Sequence, residues 1–174
     1  YSLRNFTELA DELNQANSHH LLGHVYFEWG DYEKALEHYK EALRLYKQIE
    51  ELIGAAKINN DIGKIHYYWS NYQISLDYYN KALQIYNDLN YKSGQGKTLA
   101  NIGEIYYALM NFSKAYEFYA KALDISYQHG EQIDIANLYN QLGNVFYYKA
   151  EFDTALNYYN DALKIHEEIQ NKKK

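Results

Sequence analysis

The feature that most constrains this chain is a period of forty residues. One column of the repeat is glycine, at Gly23, Gly63, Gly103 and Gly143. A second column is an alanine followed by leucine, at Ala42-Leu43, Ala82-Leu83, Ala122-Leu123 and Ala162-Leu163. A third column is tyrosine, at Tyr39, Tyr79, Tyr119 and Tyr159. Recurrence in several independent columns indicates a repeat protein, in which one supersecondary unit stacks on its neighbours.

Each period contains two segments in which apolar residues recur with the spacing of an α-helix. Apolar residues recur at steps of three and four over residues 22–29 and again over residues 32–46, which is the spacing of one helix face. The pattern predicts first helices near 13–29, 53–69, 93–109 and 133–149, and second helices near 32–49, 72–89, 112–129 and 152–170. The chain contains no proline, which fits a succession of helices joined by short turns. We therefore predict an all-α fold of paired helices.

The glycine column needs a packing explanation. Glycine inside a helix costs about 1 kcal/mol relative to alanine, so its recurrence indicates a compensating contact. We expect the paired helices to approach closely there, with Gly23 facing the small side chain of Ala35. The chain also has 22 tyrosines, and most of these are expected to fill the core and the seams between repeats.

The motif Leu22-Gly23-x-x-Tyr26 followed by Ala35, Tyr39 and Ala42 resembles the tetratricopeptide repeat. The common period of that family is about 34 residues, so this chain has longer helices. It is similar to the forty-residue subclass found in spindle-orientation adaptors, Rap-type peptide-pheromone regulators and bacterial multidomain signalling proteins. The resemblance implies a tetratricopeptide-repeat solenoid of antiparallel helix pairs with a right-handed superhelix.

The period also predicts the domain organisation. A shift by one period aligns residues 1–12 with the end of a second helix, so we expect them to be the tail of an upstream repeat helix. The remaining units are then repeat 1 at 13–50, repeat 2 at 51–90, repeat 3 at 91–130, repeat 4 at 131–170 and a frayed tail at 171–174. We expect one continuous solenoid domain that is an excerpt of a larger signalling or assembly protein.

Composition excludes several functional classes. A net charge of −6 argues against nucleic-acid binding, because duplex affinity depends on neutralising phosphates. No apolar run approaches the roughly 18 residues that a membrane span requires. The absence of cysteine excludes a disulfide-stapled secreted scaffold and cysteine-ligated metals. We expect a cytoplasmic protein with neither nucleic acid nor membrane as a partner.

No segment predicts catalysis. Residues 94–98, Gly-Gln-Gly-Lys-Thr, resemble the end of a phosphate-binding loop, but a helix rather than a strand precedes them, which favours a repeat boundary.

His20 and His24 stand four apart, as two ligands of one metal would, yet the sequence specifies no third ligand nearby. A solvated or peptide-contacting pair is therefore favoured. His66 is expected to be a hydrogen-bonded core substitute for tyrosine. We predict no enzyme activity, no metal and no cofactor.

The resemblance implies a peptide-binding concave groove lined by the first helices. Mapping the family's ligand-facing positions onto this sequence gives the predicted groove residues: Asn17, His20, His24, Phe27, Lys57, Asn60, Lys64, Tyr67, Lys97, Asn101, Glu104, Tyr107, Asn137, Asn140, Gln141, Asn144 and Tyr147. Amides can both donate to and accept from a peptide backbone, and tyrosines add rigid contact area. Lys57, Lys64 and Lys97 favour a ligand with an acidic residue or a C-terminal carboxylate. A solvated wall whose partner binds elsewhere is the alternative.

The predicted function is a non-catalytic scaffold module that binds an extended peptide or a helix, as an adaptor does. Two other functions remain open. One is a peptide-gated regulator of the Rap type, in which a short peptide changes the curvature of the superhelix. The other is an architectural spacer that self-associates through uncapped repeat ends.

Overall fold

A computed structural model of the protein describes residues 3–129 and 131–171, with side chains from residue 7 onward. Within these residues the chain forms eight α-helices and no strand. The helices are α1 (Leu3–Glu28), α2 (Tyr32–Gln48), α3 (Leu52–Tyr68), α4 (Tyr72–Asp88), α5 (Lys92–Ala108), α6 (Phe112–His129), α7 (Gln132–Tyr148) and α8 (Phe152–Asn171). The all-α class of helical-repeat solenoids is thereby confirmed. None of the described helices combines the length and hydropathy needed to cross a bilayer.

The start of α1 differs from the predicted start of the first helix. A helix was expected from about residue 13, yet α1 runs without a break for 26 residues from Leu3. At the same register later in the chain, Glu50 and Asn90 break the helix with φ values of 57° and 50°. A left-handed residue costs about 1–2 kcal/mol. At Ala10, which holds the same register, α1 continues as a helix and avoids this cost.

A left-handed residue ends every first helix. These residues are Gly30, Ser70, Met110 and Ala150, with φ between 57° and 80°. The next N–H then bonds back to a carbonyl five residues earlier, as from Asp31 N to Tyr26 O at 2.9 Å. The Asp31 carboxylate also accepts from Lys34 N at 3.2 Å and so caps α2. This hydrogen-bonded C-terminal turn reverses the chain within two residues, which is why paired helices lie side by side.

At the glycine column, an added side chain would meet a tyrosine ring, which was not predicted from the sequence. A Cβ on Gly23 would lie 2.4 Å from the Tyr39 ring, and the same clash recurs at Gly63 with Tyr79. Tyr39 is 1% exposed, so the ring cannot move into solvent. Ala35, the predicted neighbour, is buried on the same helix as Tyr39. The Ser75 hydroxyl, at the Ala35 register of repeat 2, donates to Gly63 O at 2.7 Å.

The helices form two compact units. Unit 1 extends to Asp88 and contains α1–α4, and unit 2 extends from Leu89 and contains α5–α8. Within each unit, consecutive helices pack on one another. Every helix pair also carries one stacked ring pair at the same register: Tyr26 with His38, His66 with Tyr78, Tyr106 with Phe118, and Phe146 with Tyr158. The repeat thus preserves individual contacts as well as helix positions.

Candidate functional site

The predicted groove residues lie on the first helix of each pair, on α1 and α3 in unit 1 and on α5 and α7 in unit 2. All of them fall among the described residues, and each is exposed or half-buried. They alternate with buried positions such as Ile58, Ile62 and Ile65, which face the core of the unit. We call this solvent-facing side of α1, α3, α5 and α7 the first-helix face. Its side chains are accessible to a ligand.

In unit 1 the two predicted histidines meet a carboxylate from the next repeat. Asp61 Oδ2 lies 2.8 Å from His20 Nε2 and 3.7 Å from His24 Nε2. The His24 Nδ1 atom is 3.2 Å from the Tyr39 hydroxyl. Burial lowers the pKa of His24, although Asp61 opposes the shift. Asp61 was not among the predicted groove residues, although it holds the repeat register of Asn101 and Gln141, which were.

Two further groove residues of unit 1 are held by neighbouring rings. Asn17 Oδ1 accepts a hydrogen bond from the Tyr46 hydroxyl at 2.6 Å. The Lys64 ammonium lies over the Phe27 ring, 4.8 Å from its centroid. Lys57 is also exposed on α3, seven residues before Lys64. These two lysines therefore place positive charge on the first-helix face of unit 1.

Unit 2 repeats the same register with different chemistry. Gln141 Nε2 donates to Glu104 Oε1 at 2.8 Å, the contact that corresponds to Asp61 and His24 eighty residues earlier. The Lys97 ammonium is 3.8 Å from Asp134 Oδ2, which offsets part of its charge. Asn144 Oδ1 accepts from the Tyr159 hydroxyl at 2.7 Å. Lys97 therefore differs from Lys57 and Lys64, since it already has an acidic neighbour.

Aromatic rings gather where the first helices end. The aromatic cluster of unit 1 consists of Phe27, Tyr32, Tyr67, Tyr68 and Tyr72, and that of unit 2 consists of Tyr107, Phe112, Tyr147, Tyr148 and Phe152. In unit 1 the Tyr32 and Tyr68 rings stack with centroids 5.5 Å apart. In unit 2 the Phe112 and Tyr148 rings stack with centroids 5.8 Å apart. Each cluster joins the two helix pairs of its unit. The second-helix rings of these clusters were not among the predicted groove residues.

The segment that resembles a phosphate-binding loop is helical. Residues 94–98 lie in the first two turns of α5, and Gly94, Gln95, Gly96 and Thr98 are buried. The Thr98 hydroxyl donates to Gly94 O at 2.8 Å within the helix. The backbone here is that of a helix rather than that of a loop wrapped around phosphates.

Helix pairs with a glycine–tyrosine contact and an accessible first-helix face define a helical-repeat protein of the paired-helix class. A family model described as "Tetratricopeptide repeat" matches residues 2–48, 15–88 and 94–168. The chain belongs to the tetratricopeptide repeat family. This membership supports a protein-interaction scaffold. A search of curated proteins found no match.

Solved structures share the fold. The apo form of RapI has a TM-score of 0.83 at 19% identity, over 97% of this chain and 62% of its own. BtubC (BKLC) from P. vanneervenii has a TM-score of 0.77 at 24% identity, over 89% of this chain and 64% of its own. A Rap protein complexed with competence and sporulation factor has a TM-score of 0.77 at 22% identity, over 88% of this chain and 43% of its own. The chain thus spans less than two thirds of the length of these proteins.

Proposed function

We propose that this chain is a non-catalytic module that binds an extended peptide or a helix along the first-helix face, within a larger signalling or assembly protein. The observation that carries the proposal is the repetition of the face. The contact between His24 and Asp61 in unit 1 corresponds to that between Glu104 and Gln141 in unit 2, and the aromatic clusters correspond in the same way. Within each unit, exposed amides and aromatic rings at these positions suit a ligand that offers backbone N–H and C=O groups, such as an extended peptide.

The chemistry of the face favours a ligand with an acidic group. Asn137, Asn140 and Asn144 offer amides that can pair with backbone N–H and C=O groups of any sequence. Exposed rings such as Tyr147 provide area for apolar side chains. On unit 1, Lys57 and Lys64 would pair with an acidic residue or a C-terminal carboxylate, whereas Lys97 would first have to release Asp134.

A peptide-gated regulator of the Rap type is the second candidate. It is favoured by the likeness to a Rap protein whose structure holds competence and sporulation factor. Binding would then change the small-angle scattering of the protein, whereas a plain adaptor would bind without that change. A self-associating spacer is the third candidate, and it would show a molecular mass that rises with concentration in light scattering.

Two predictions about context belong to the same proposal. We place the repeat boundaries at 13–50, 51–90, 91–130 and 131–170, because each range then contains one helix pair or most of one. We also propose a cytoplasmic location, which is supported by the lack of cysteine.

The proposal can be tested with a display library of random short peptides. Enriched peptides are synthesised and titrated against the protein by fluorescence anisotropy. The double charge reversal Lys57→Glu with Lys64→Glu should weaken binding of acidic peptides by about 10-fold or more. The matched control is Lys40→Glu with Lys47→Glu, which has the same spacing on α2 and the same charge change. Equal losses in the two double variants, or no enrichment at all, would contradict the proposal.

A further inference from the structure

We propose that His20, His24 and Asp61 form a binding site for a divalent transition-metal ion of the Zn²⁺ and Co²⁺ type, which links α1 to α3. One ligand atom from each of these residues lies within 4.8 Å of the others. Two imidazole nitrogens and one carboxylate oxygen are the donors that such ions accept, whereas Mg²⁺ and Ca²⁺ require mainly oxygen. The spacing of His20 and His24 alone favoured a solvated or peptide-contacting pair, since no third ligand lies nearby in the sequence; Asp61 comes from the next repeat.

The geometry is close to what coordination needs. With metal–ligand bonds of about 2.0–2.1 Å, ligand atoms of a tetrahedral site lie roughly 3.3 Å apart. The contact between Asp61 Oδ2 and His20 Nε2 is 2.8 Å, and that between Asp61 Oδ2 and His24 Nε2 is 3.7 Å. The first must open and the second must close by only a few tenths of an ångström, whereas the two imidazole nitrogens, which lie within 4.8 Å of each other, must close by up to about 1.5 Å. Rotation about side-chain bonds supplies such changes without moving the helices.

The second ring nitrogen of His24 is already held. Its Nδ1 atom lies 3.2 Å from the hydroxyl of the buried Tyr39. Metal-binding histidines normally donate this N–H to a neighbouring acceptor, which directs the other nitrogen at the ion. In this arrangement Nδ1–H donates to the Tyr39 oxygen, and Nε2 faces Asp61.

The site is accessible and locally acidic. The side chains of His20, Asp61 and His24 are 16%, 21% and 47% exposed, so an ion can enter and a fourth position faces solvent. Of the other charged groups that act on His24, Glu28 is acidic and Lys64 is basic. Together with Asp61 they leave one net negative charge near the site. The open position could accept water or a carboxylate of a bound ligand.

Unit 2 provides an internal comparison. The positions eighty residues later are Ala100, Glu104 and Gln141, which supply one carboxylate and no imidazole. His19 and His38 form a second histidine pair in unit 1, with Nδ1 atoms 3.0 Å apart. In the described residues, that pair has no third ligand within the same reach. We therefore expect one ion per chain.

The test uses protein purified without a histidine tag and freed of metal with a chelator. Zn²⁺ is titrated by calorimetry, Mg²⁺ serves as a negative control, and Co²⁺ is followed by its visible d–d absorption. Wild type should bind one Zn²⁺, and Co²⁺ should give the intense absorption of a four-coordinate site. Asp61→Asn and His24→Ala should each weaken Zn²⁺ binding by at least 10-fold. Tyr39→Phe, which keeps the ring against Gly23, should weaken it by about 10-fold.

The matched control is His38→Gln, which should leave Zn²⁺ affinity within about twofold of wild type. Circular dichroism of each variant establishes that it is folded, and the near-isosteric Asp61→Asn gives the readout if His24→Ala does not fold. The proposal is overturned if wild type gives no four-coordinate Co²⁺ spectrum. It is equally overturned if His38→Gln weakens binding as much as Asp61→Asn does. In either case the three residues form only an ion-paired cluster.

Discussion

The ring of Tyr39 fills the space that a side chain on Gly23 would need, since a Cβ there would lie 2.4 Å from ring carbons Cδ1 and Cε1. The same relationship joins Gly63 to Tyr79, Gly103 to Tyr119 and Gly143 to Tyr159, with Cβ distances of 2.5–2.6 Å. The glycine column and the tyrosine column of the sequence period therefore contact each other in every helix pair. That contact sets how closely the helices of each pair approach.

Gly63→Ala should destabilise the protein by about 1–3 kcal/mol despite the better helix propensity of alanine, because the added methyl overpacks against Tyr79. Urea denaturation measures the change. Gly96→Ala is the matched control, since its Cβ would lie 3.3 Å from the movable Ile125 Cγ2. We expect it to be neutral or stabilising within about 1 kcal/mol. If Tyr79→Leu does not relieve the Gly63→Ala penalty, the ring is not the cause.

Met110→Gly should stabilise unit 2 by about 0.5–1 kcal/mol. Met110 has a φ of 57° and is 71% exposed, so glycine removes backbone strain and little packing. Met110→Ala retains the strain and should be nearly neutral, while Gly30→Ala introduces the strain and should cost about 1 kcal/mol. Thermal unfolding compares the three variants. A destabilised Met110→Gly would mean that the methionine side chain makes a contact that outweighs the strain.

His66 should make stability depend on pH. Burial and, secondarily, Lys40 lower its pKa in the folded state. Between its unfolded pKa of about 6.5 and the lower folded value, only the unfolded chain binds the proton, so stability falls as the pH drops through that window. The ring stacks on Tyr78 with centroids 5.6 Å apart, but no described residue offers its buried Nδ1 a hydrogen bond. The predicted hydrogen-bonded role is thus wrong for that atom.

His66→Phe should remove this pH dependence and raise stability near pH 7 by about 1 kcal/mol, because it deletes an unsatisfied buried polar atom. Phe146 occupies the same register in repeat 4 and stacks on Tyr158 at 5.4 Å, so the ring fits. Urea denaturation at about pH 7 and about pH 5.5 measures both effects. The control is His129→Gln, at an exposed position. Equal pH dependence in wild type and His66→Phe would contradict the assignment.

The stacked aromatic pairs should couple adjacent helix pairs equally in both units. Tyr32 with Tyr68 and Phe112 with Tyr148 have interplanar angles of 19° and 17°. Double-mutant cycles to alanine should give coupling energies of about 0.5–1.5 kcal/mol in each unit. A measurable coupling in one unit and none in the other would show that matching ring geometry does not mean matching energy.

The fold followed from the sequence because the period repeats every element of it. The joints were predictable, since each needs only a local hydrogen-bonded turn and a short cap. The start of α1 was not, because the period predicts a break at the register of Ala10 and the helix continues through that residue. The Tyr39 ring beside Gly23 was also not predicted, since small residues and large rings can both explain a glycine column.

The candidate site was less predictable. Accessibility of the first-helix face followed from helical spacing, which places those positions opposite the core. Contacts across repeats depend instead on how far one pair is shifted along the next. That shift brings Asp61 to His20, 41 residues away, and no local pattern encodes it. Once the shift is known, the corresponding contact between Glu104 and Gln141 follows from the period.

The most direct test of a peptide-docking first-helix face is site-specific photo-crosslinking with a peptide selected from the library. A benzophenone amino acid replaces Tyr147 on the first-helix face, or Tyr116 on α6 as the control, two tyrosines that are 54% and 41% exposed. The account predicts that the peptide crosslinks at position 147 and that unlabelled peptide suppresses this product, with little product at position 116. Crosslinking at position 116 with none at position 147 would contradict it.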